Sequence, residues 1–337
     1  MSQARHQPVA VLGAGSWGTA LAIQYARAGT PTRLWGRDAT QIAAMTSACC
    51  NERYLPEGPF PPLLSAHASL AEAMDGVDEV LVSVPSHALR QTLQLMRETV
   101  DRPLRVAWAT KGLELSTGKL PHEVIAEELG ADGKYAVLSG PTFAKELARG
   151  LPTALTIGSS DADFATDLAT RISDEKFRAY TSDDVVGVEV GGAVKNVMAI
   201  GAGMSDGLGF GANTRVAFIT RGLSEMTRFG MAKGARAETF MGLAGMGDLV
   251  LTCTDNQSRN RRMGLALADG KTIKEAEAEI QQVVEGVLAA KAVYDAATAM
   301  GVEMPITEQI HGILYEGVPP LEAVKALMTR APGKEFE

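Results

Sequence analysis

A lysine within an apolar, glycine-rich stretch is the clearest candidate for chemistry in this sequence. Lys195 and Asn196 lie in the segment 187–201, whose apolar residues recur at helical spacing. Burial of a charged amine is costly, so the pKa of Lys195 is expected to fall toward neutral pH, where an amine can both give and take a proton. The alternative is a lysine that extends along its helix and ends in solvent.

The same segment makes a specific prediction about its backbone. Its repeated glycines each weaken a helix by about 1 kcal/mol relative to alanine, so they are expected where another backbone or a ligand approaches closely. Thr181 and Ser182 are predicted to cap the start of the helix, with Asp183 and Asp184 at the positive end of its dipole. The glycine-rich segment 201–211 is predicted to be a tight loop beside the ligand cleft.

A second cluster of polar residues follows in the C-terminal half. Ser258 is a candidate helix cap with Arg259 directly behind it. Helix-start amides and a guanidinium together bind phosphate well. A solvated basic turn is the alternative, and because three arginines cannot all face one pocket, Arg261 and Arg262 are predicted to lie at the surface.

A carboxylate between these two clusters has two interpretations. Asp248 lies in an apolar and glycine-rich segment, where it is either a simple helix cap or a partner for the lysine. Close to Lys195, it would raise the pKa of that amine, whereas burial and a nearby Lys111 would lower it. The sequence leaves open which effect dominates.

The elements that must position these groups begin with a dinucleotide-binding pattern. The apolar run Val9–Leu12 leads into Gly13, Gly15 and Gly18 at GxGxxG spacing, and a helical segment and a second strand, Thr32–Trp35, follow. Glycine lets the backbone approach a pyrophosphate, whose charge the helix N-terminus stabilises. In this context the motif predicts a dinucleotide site, with a glycine turn that binds nothing as the alternative.

The end of the second strand predicts which dinucleotide is bound. An NAD site usually has an acidic residue there, whereas an NADP site has a small residue and an arginine. Here Gly36 stands in the place of the acid, and Arg37 can face a 2′-phosphate. Asp38 comes next, so NADP is predicted as the preferred cofactor and NAD remains possible.

Further strand-like runs alternate with helical ones, which predicts a mainly parallel, doubly wound α/β sheet of the Rossmann type. These runs cover 79–84, 105–109, 135–138 and 152–158. Ligands bind beyond the carboxyl ends of such strands. Lys111, Gly140 and Thr142 all follow strand ends and are therefore candidate site residues.

Strand patterns stop near residue 183, after which helical periodicity takes over. It recurs in 213–229, 257–268, 287–300, 305–316 and 319–329. The sequence therefore predicts an NAD(P)-binding Rossmann domain over 1–182 and an all-α substrate domain over 183–337.

Composition restricts the class of protein. The chain has 337 residues and a net charge of −8, which disfavours nonspecific nucleic-acid binding. It shows neither a signal peptide nor an apolar run of about 18 residues, so stable membrane insertion is not expected. Cys49, Cys50 and Cys253 fit neither a disulfide framework nor a zinc site. We expect a cytoplasmic protein that binds no metal.

Taken together, the chain closely resembles the bacterial NAD(P)-dependent glycerol-3-phosphate dehydrogenases. The resemblance runs from Val9 to about Gly317, and its most specific motifs are Gly13–Gly18, Ala109–Gly112, Ser139–Glu146, Gly191–Asn196 and the block from Gly245 to Arg262. It implies reversible reduction of dihydroxyacetone phosphate to sn-glycerol 3-phosphate, the backbone precursor of phospholipids. It also implies a Rossmann domain, an α-helical substrate domain and a homodimer.

The resemblance also implies roles for individual residues. Lys195 would be the proton donor or acceptor. The substrate would be surrounded by Lys111, Gly140, Thr142, Lys195, Asp248, Ser258, Arg259 and Asn260. The cofactor would contact Ser16, Trp17, Arg37, Lys111, Ala144, Arg259, Val283 and Glu285, together with the glycines Gly13, Gly15 and Gly18.

Two other classes of protein remain open from the sequence. One is a 3-hydroxyacyl-CoA or β-hydroxyacid dehydrogenase of the same architecture. The 3-hydroxyacyl-CoA enzymes typically work with a histidine–glutamate pair, and no histidine is near Ser139–Pro141 in the sequence. The other is a non-catalytic NADP-binding sensor, which would have no need of Lys195 and Arg259 together.

Overall fold

A mainly parallel eight-stranded sheet forms the N-terminal half of the protein. The computed structural model describes residues 7–330, so the predicted domain ends at 1–6 and 331–337 lie outside the described residues. The strands are β1 (Val9–Leu12), β2 (Thr32–Trp35), β3 (Cys50–Asn51), β4 (Leu55–Pro59), β5 (Leu64–His67), β6 (Glu79–Val82), β7 (Arg105–Trp108), β8 (Tyr135–Ser139), β9 (Thr153–Gly158) and β10 (Phe177–Ser182). The order across the sheet is β10-β9-β8-β7-β6-β1-β2-β5, and β3 and β4 form a separate ribbon.

The sheet confirms the predicted Rossmann-type fold with one local difference. β8 and β9 pair antiparallel, while the other neighbouring strands of the sheet pair parallel. β1 and β6 are buried on both faces, which explains why they are continuous apolar runs. The carboxyl ends of β1, β6, β7 and β8 therefore lie along one edge, where the candidate residues are found.

Helices cover both faces of the sheet and form the C-terminal half. Those of the first half are α1 (Ser16–Arg27), α2 (Ala39–Ala48), α3 (Leu70–Met74), α4 (Ser86–Thr99), α5 (Pro121–Leu129), α6 (Ala144–Ala148) and α7 (Ala162–Ile172). Those of the second half are α8 (Val185–Gly207), α9 (Ala212–Ala232), α10 (Asp248–Thr254), α11 (Arg259–Ala268), α12 (Ile273–Ile280), α13 (Glu285–Ala299), α14 (Pro305–His311) and α15 (Pro320–Met328). The second half also has a 3₁₀ turn at Ala237–Met241 and π-helical turns at Leu243–Gly247 and Gly312–Glu316. Each helical segment predicted there is confirmed, whereas α10 and α12 were not predicted.

Helix α8 is the central element of the C-terminal half. It is long and apolar enough to cross a membrane, but 89% of that apolar window is buried inside the protein. It packs against β8 and β9 of the sheet and against α9, α10, α11, α13 and α14. These contacts make it the core helix that joins the two halves.

The predicted cap residues of α8 and its predicted end are wrong, whereas the prediction that Asp184 lies at the positive end of the helix is confirmed. Its N-cap is Asp184, whose side chain accepts a hydrogen bond from Gly187 N at 2.9 Å, whereas Ser182 still belongs to β10. At the other end the helix continues through the predicted glycine loop to Gly207. A Cβ on Gly203 would lie 2.1 Å from the carbonyl oxygen of Arg261, so this glycine lets α11 pack backbone to backbone. Tertiary packing thus outweighs the low helix propensity of glycine.

Candidate active site

The predicted lysine forms a buried charged cluster with two residues distant in sequence. The Nζ atom of Lys195 donates to Oδ1 of Asp248, and the Nζ atom of Lys111 lies 2.8 Å from Oδ2 of the same carboxylate. Lys195 is 7% exposed and Asp248 is fully buried, so the lysine does not reach solvent as the alternative required. One carboxylate therefore holds two ammonium groups side by side.

Burial dominates the acidity of this lysine. Burial lowers the pKa of Lys195 and the charge of Lys111 adds to this, while Asp248 acts in the opposite direction; the result is a pKa of about 7. The question left open by the sequence is thereby answered: the loss of hydration outweighs the attraction of the carboxylate. An amine with this pKa exchanges protons readily at neutral pH.

Each member of the cluster is positioned by a different element. Lys195 lies in the middle of α8, and Lys111 follows the end of β7. Asp248 is the first residue of α10, directly after a π-helical turn, and its side chain makes no capping bond to that helix. The cap interpretation of Asp248 is therefore wrong.

Small residues allow α8 to approach the sheet edge. A Cβ on Gly192 would lie 2.9 Å from Oγ of Ser139 and 3.5 Å from the Lys111 side chain, so the absent side chain makes room for both. A Cβ on Gly140 would lie 2.8 Å from Cα of Leu155. The hydroxyl of Thr142 donates to the carbonyl of Gly140 at 3.3 Å. The segment after β8 is thus fixed against α8 and β9.

The predicted phosphate-binding segment is joined directly to the lysine helix. Ser258 caps α11 by accepting from Arg261 N, and Arg259 is the half-buried first residue of that helix. Asn260 donates to Oδ1 of Asn196 at 2.9 Å and accepts from Gly286 N at 2.8 Å. Because Gly286 follows Glu285 at the start of α13, these bonds bring the 283–285 segment to α11.

The surface prediction is wrong for Arg261 and not contradicted for Arg262. Arg261 is buried, and its guanidinium pairs with Asp206 at 2.5 Å and donates to Cys253 O and Asn256 Oδ1. Arg262 is half-buried. Arg261 faces α8 because a polar interior partner, Asp206, is available near the end of that helix.

The glycine motif has the shape expected of a cofactor cradle. A Cβ on Gly13 would lie 2.3 Å from Ser83 O, and one on Gly18 would lie 1.9 Å from Gly13 O. Gly15, at the N-cap of α1, instead faces open space, where a pyrophosphate would need room. Trp17 in this helix has a buried indole N–H without a partner among the described residues. These observations fit a dinucleotide.

The end of β2 fits a 2′-phosphate better than a free ribose. A Cβ on Gly36 would lie 2.8 Å from Cβ of Ala14, so an acidic side chain has no space there. Asp38 caps α2 by accepting from the amides of Thr40 and Gln41, which holds its carboxylate at the start of that helix through Oδ1. Arg37 is exposed at the same strand end.

Two groups at this edge were missed by sequence reasoning. Asn51 is fully buried and donates to Ala14 O at 3.0 Å and to Thr19 Oγ1 at 2.8 Å, which fixes the glycine loop. Glu189 of α8 binds His122, although the two residues are 67 positions apart in sequence. No local pattern signals either contact.

The segment after β6 lies between the glycine motif and Lys111: the carbonyl of Ser83 meets Gly13, and Oγ of Ser86 lies 3.6 Å from the Cβ position of Gly112. The remaining predicted residues are at or near the starts of helices. Ser16 opens α1 and donates to Tyr54 O, Ala144 opens α6, and Val283 is half exposed before α13. Within residues 7–330 no group of histidine, cysteine, aspartate and glutamate side chains is arranged to hold a metal ion.

A glycine cradle and a buried lysine–aspartate pair on one edge of a Rossmann sheet, closed by a helical domain, define a two-domain nicotinamide-dependent dehydrogenase. Residues 8–165 match the family model described as NAD-dependent glycerol-3-phosphate dehydrogenase N-terminus. Residues 184–325 match the corresponding C-terminus model. The chain belongs to the NAD-dependent glycerol-3-phosphate dehydrogenase family, which confirms the resemblance seen in the sequence.

Individual relatives agree over nearly the whole length. A glycerol-3-phosphate dehydrogenase [NAD(P)+] of Thioalkalivibrio sulfidiphilus is 55% identical over 98% of this chain and 99% of its own length. One from Aeromonas hydrophila is 55% identical over 96% of this chain and 97% of its own. The crystal structure of glycerol-3-phosphate dehydrogenase from Coxiella burnetii superposes with a TM-score of 0.93 at 48% identity, covering 96% of this chain and 99% of that one.

Proposed function

We propose that this chain catalyses the reversible NAD(P)H-dependent reduction of dihydroxyacetone phosphate to sn-glycerol 3-phosphate. The observation that carries the proposal is the buried Lys195, held by Asp248 beside Lys111 on the sheet edge that also bears the glycine cradle. The relatives named above carry this activity in their names.

Lys195 is the general acid and base in this proposal. When bound, the nicotinamide would supply the hydride that reduces the C2 carbonyl carbon of the substrate. Negative charge then develops on the C2 oxygen, where protonated Lys195 donates a proton and the Lys111 ammonium stabilises the charge. Asp248 holds both amines in place, so neither has to reorganise during the reaction.

The substrate phosphate binds at the start of α11. The helix-start amides after Ser258 and the guanidinium of Arg259 form the binding site, with Asn260 oriented by its bonds to Asn196 and Gly286. Gly140 and Thr142 contact the substrate on the side of the sheet. Phosphate held away from the reacting carbon supplies binding energy that orients the carbonyl.

The cofactor lies along the sheet edge with NADPH preferred over NADH. Gly13, Gly15, Ser16 and Gly18 approach the pyrophosphate, and Trp17, Ala144, Val283 and Glu285 line the rest. Arg37 binds the 2′-phosphate, since Gly36 excludes an acid and Asp38 is engaged by α2. Such a charged contact is worth about 1.5–3 kcal/mol, or roughly ten- to a hundredfold in affinity.

The cellular setting follows from this activity. The product would supply the glycerophospholipid backbone, and the enzyme would act in the cytoplasm as a homodimer. We also propose that the boundary between the Rossmann domain and the helical domain lies between residues 182 and 183.

Absorbance of NADPH with and without dihydroxyacetone phosphate tests the proposal directly. We expect oxidation of NADPH only when the substrate is present. Turnover of acetoacetyl-CoA instead would identify a 3-hydroxyacyl-CoA dehydrogenase. Binding of NADPH without turnover of either substrate would identify a sensor.

A further inference from the structure

A fully buried carboxylate joins the two segments that carry the paired lysines. Oε1 of Glu189 accepts hydrogen bonds from Trp108 Nε1 at 2.9 Å and from the backbone amide of His122 at 2.8 Å. Oε2 of the same group is bonded to Nδ1 of His122. The Glu189 side chain is 1% exposed, whereas that of His122 is 32% exposed. Both oxygens of this carboxylate therefore accept hydrogen bonds from residues of the N-terminal half.

The partners of Glu189 flank the Lys111 segment. Trp108 ends β7, and His122 is in the first turn of α5, so the chain between these two contacts is the loop that carries Lys111. Glu189 is on α8, as is Lys195, about 9 Å further along the helix axis. The same carboxylate thus attaches both ends of the Lys111 loop to the helix that bears Lys195.

We propose that Glu189 and His122 form a positioning pair. The pair holds the Lys111 loop against α8 in the position in which Lys111 and Lys195 both bind Asp248. The inference rests on the proposed function, since it assigns a role to residues outside the reacting groups. Without this attachment, repulsion between the two ammonium groups favours withdrawal of the Lys111 loop from Lys195. A buried pair is in general weak evidence for added stability, which makes a geometric role the better explanation.

Charged groups surround both the Glu189–His122 pair and Lys195, so loss of the pair is expected to change the pKa of Lys195. His122 faces Glu189, Glu123 and Lys233. Lys195 faces Asp248, Lys111 and the buried thiol of Cys253, and the charge of Lys111 lowers the pKa of Lys195. If the Lys111 loop moves away, the pKa of Lys195 rises, and the pH dependence of proton transfer moves to higher pH.

The chain offers a matched control in Glu225 of α9. This residue is also a buried glutamate, 3% exposed, and it also accepts hydrogen bonds at a helix start, from the amides of Ile306 and Thr307 in α14. Its cluster does not include the lysines. Glu189→Gln and Glu225→Gln therefore remove the same charge from similar surroundings, one beside the Lys111 loop and one away from it.

The test compares the two variants in steady-state kinetics and thermal unfolding. We expect both to lose thermal stability, but only Glu189→Gln to lose at least about tenfold in kcat and to shift the pH profile of glycerol 3-phosphate oxidation upward by about one unit. The KM for NADPH should stay within about twofold in both, since the cofactor is bound elsewhere. Wild-type kcat and pH profile in Glu189→Gln, or the same changes in Glu225→Gln, would overturn the proposal.

A second variant covers the case in which Glu189→Gln does not fold. His122→Gln changes a partly exposed side chain and keeps the backbone amide that binds Glu189, so it should fold. It should show a smaller loss of kcat and a shift of the profile in the same direction. An unchanged profile would contradict the positioning role.

A readout independent of turnover separates this inference from the proposed function. The pH titration of the Lys195 ¹³Cε chemical shift, followed by NMR in chain labelled at lysine, reports the pKa of that amine in each variant. We expect this pKa to rise in His122→Gln and not in Glu225→Gln. A wild-type chain without turnover of dihydroxyacetone phosphate would contradict the proposed function, while equal titration curves in all variants would contradict the positioning pair.

Discussion

A free lysine amine, with a pKa near 10.4, is a slow proton acceptor at neutral pH, and burial is what adapts Lys195 to that task. Lys195→Ala should fold, still bind NADPH and lose at least about a hundredfold in kcat, because the proton donor is gone. Lys195→Arg should not restore activity, since a guanidinium hardly gives up its proton. Steady-state rates and NADPH titration measure both effects. Near-normal turnover of the alanine variant would transfer the role to Lys111.

The pKa of about 7 at Lys195 also predicts opposite pH profiles for the two directions of the reaction. Oxidation of glycerol 3-phosphate needs the neutral amine, so its rate should rise as the pH passes about 7. Reduction needs the protonated amine, so its rate should fall over the same range. Asp248→Asn removes the group that raises this pKa, and both profiles should move to lower pH. Rate profiles measured with saturating substrates provide the test, and a shift to higher pH would exclude Asp248 as the dominant neighbour.

Arg259 allows a prediction that separates binding of the phosphate from the chemistry. Arg259→Ala should cost about 2–5 kcal/mol in kcat/KM for dihydroxyacetone phosphate, as truncation of one member of a charge pair does. Unphosphorylated dihydroxyacetone lacks the group that Arg259 binds, so it should lose much less. The comparison of kcat/KM for the two substrates is the measurement. Equal losses would assign Arg259 to the cofactor or to folding.

At the scale of elements, two glycines of α8 let another backbone pack closely: a Cβ on Gly191 or Gly203 would lie 2.1 Å from the carbonyl oxygen of Ala244 or Arg261. Alanine normally stabilises a helix relative to glycine by about 1 kcal/mol. Gly203→Ala should instead lower the free energy of unfolding by about 1–3 kcal/mol, because its Cβ meets the Arg261 carbonyl. Gly222→Ala in α9 is the control, since its nearest neighbour is the flexible side chain of Met198 at 3.0 Å. Denaturant unfolding of both variants tests this, and equal effects would contradict it.

These glycines also explain how far the sequence could predict the structure. Strands β1, β2 and β6–β9 and the helices α8, α9 and α11 were predictable because local periodicity or glycine spacing specifies them. The end of α8 was not, since the partner that makes use of Gly203 lies in α11. The reversal at β9 and the His122–Glu189 contact likewise depend on segments far apart in sequence.

The site residues likewise divide into those with a local signal in the sequence and those whose role depends on distant contacts. Lys195 and Arg259 could be chosen from the sequence because a lysine in an apolar helix and an arginine after a capping serine are locally unusual. That Asp248 would hold both Lys111 and Lys195 could only be stated as a possibility, since it depends on how α10 meets α8. The burial of Arg261 was missed because its partner Asp206 was assigned to a loop.

At the scale of the whole molecule, the two halves share apolar cores. Val188 of α8 and Ala244 of the π-helical turn pack with Trp108 and Val137 of the sheet. Leu113 and Leu120, from the Lys111 loop, pack with the core of the helical half. Neither half can unfold without exposing apolar surface of the other, so the two should unfold together.

This shared core predicts that a ligand of the sheet stabilises the helical half. NADPH alone, which binds the native state, should raise the stability of the whole chain by mass action. Hydrogen exchange in α9 and α11 should therefore slow along with exchange in β1 and β6. Arg37→Ala should weaken this protection with NADPH and leave it unchanged with NADH, because only NADPH carries the 2′-phosphate. Mass spectrometry of exchanged peptides measures each region, and protection confined to the sheet would show that the halves unfold independently.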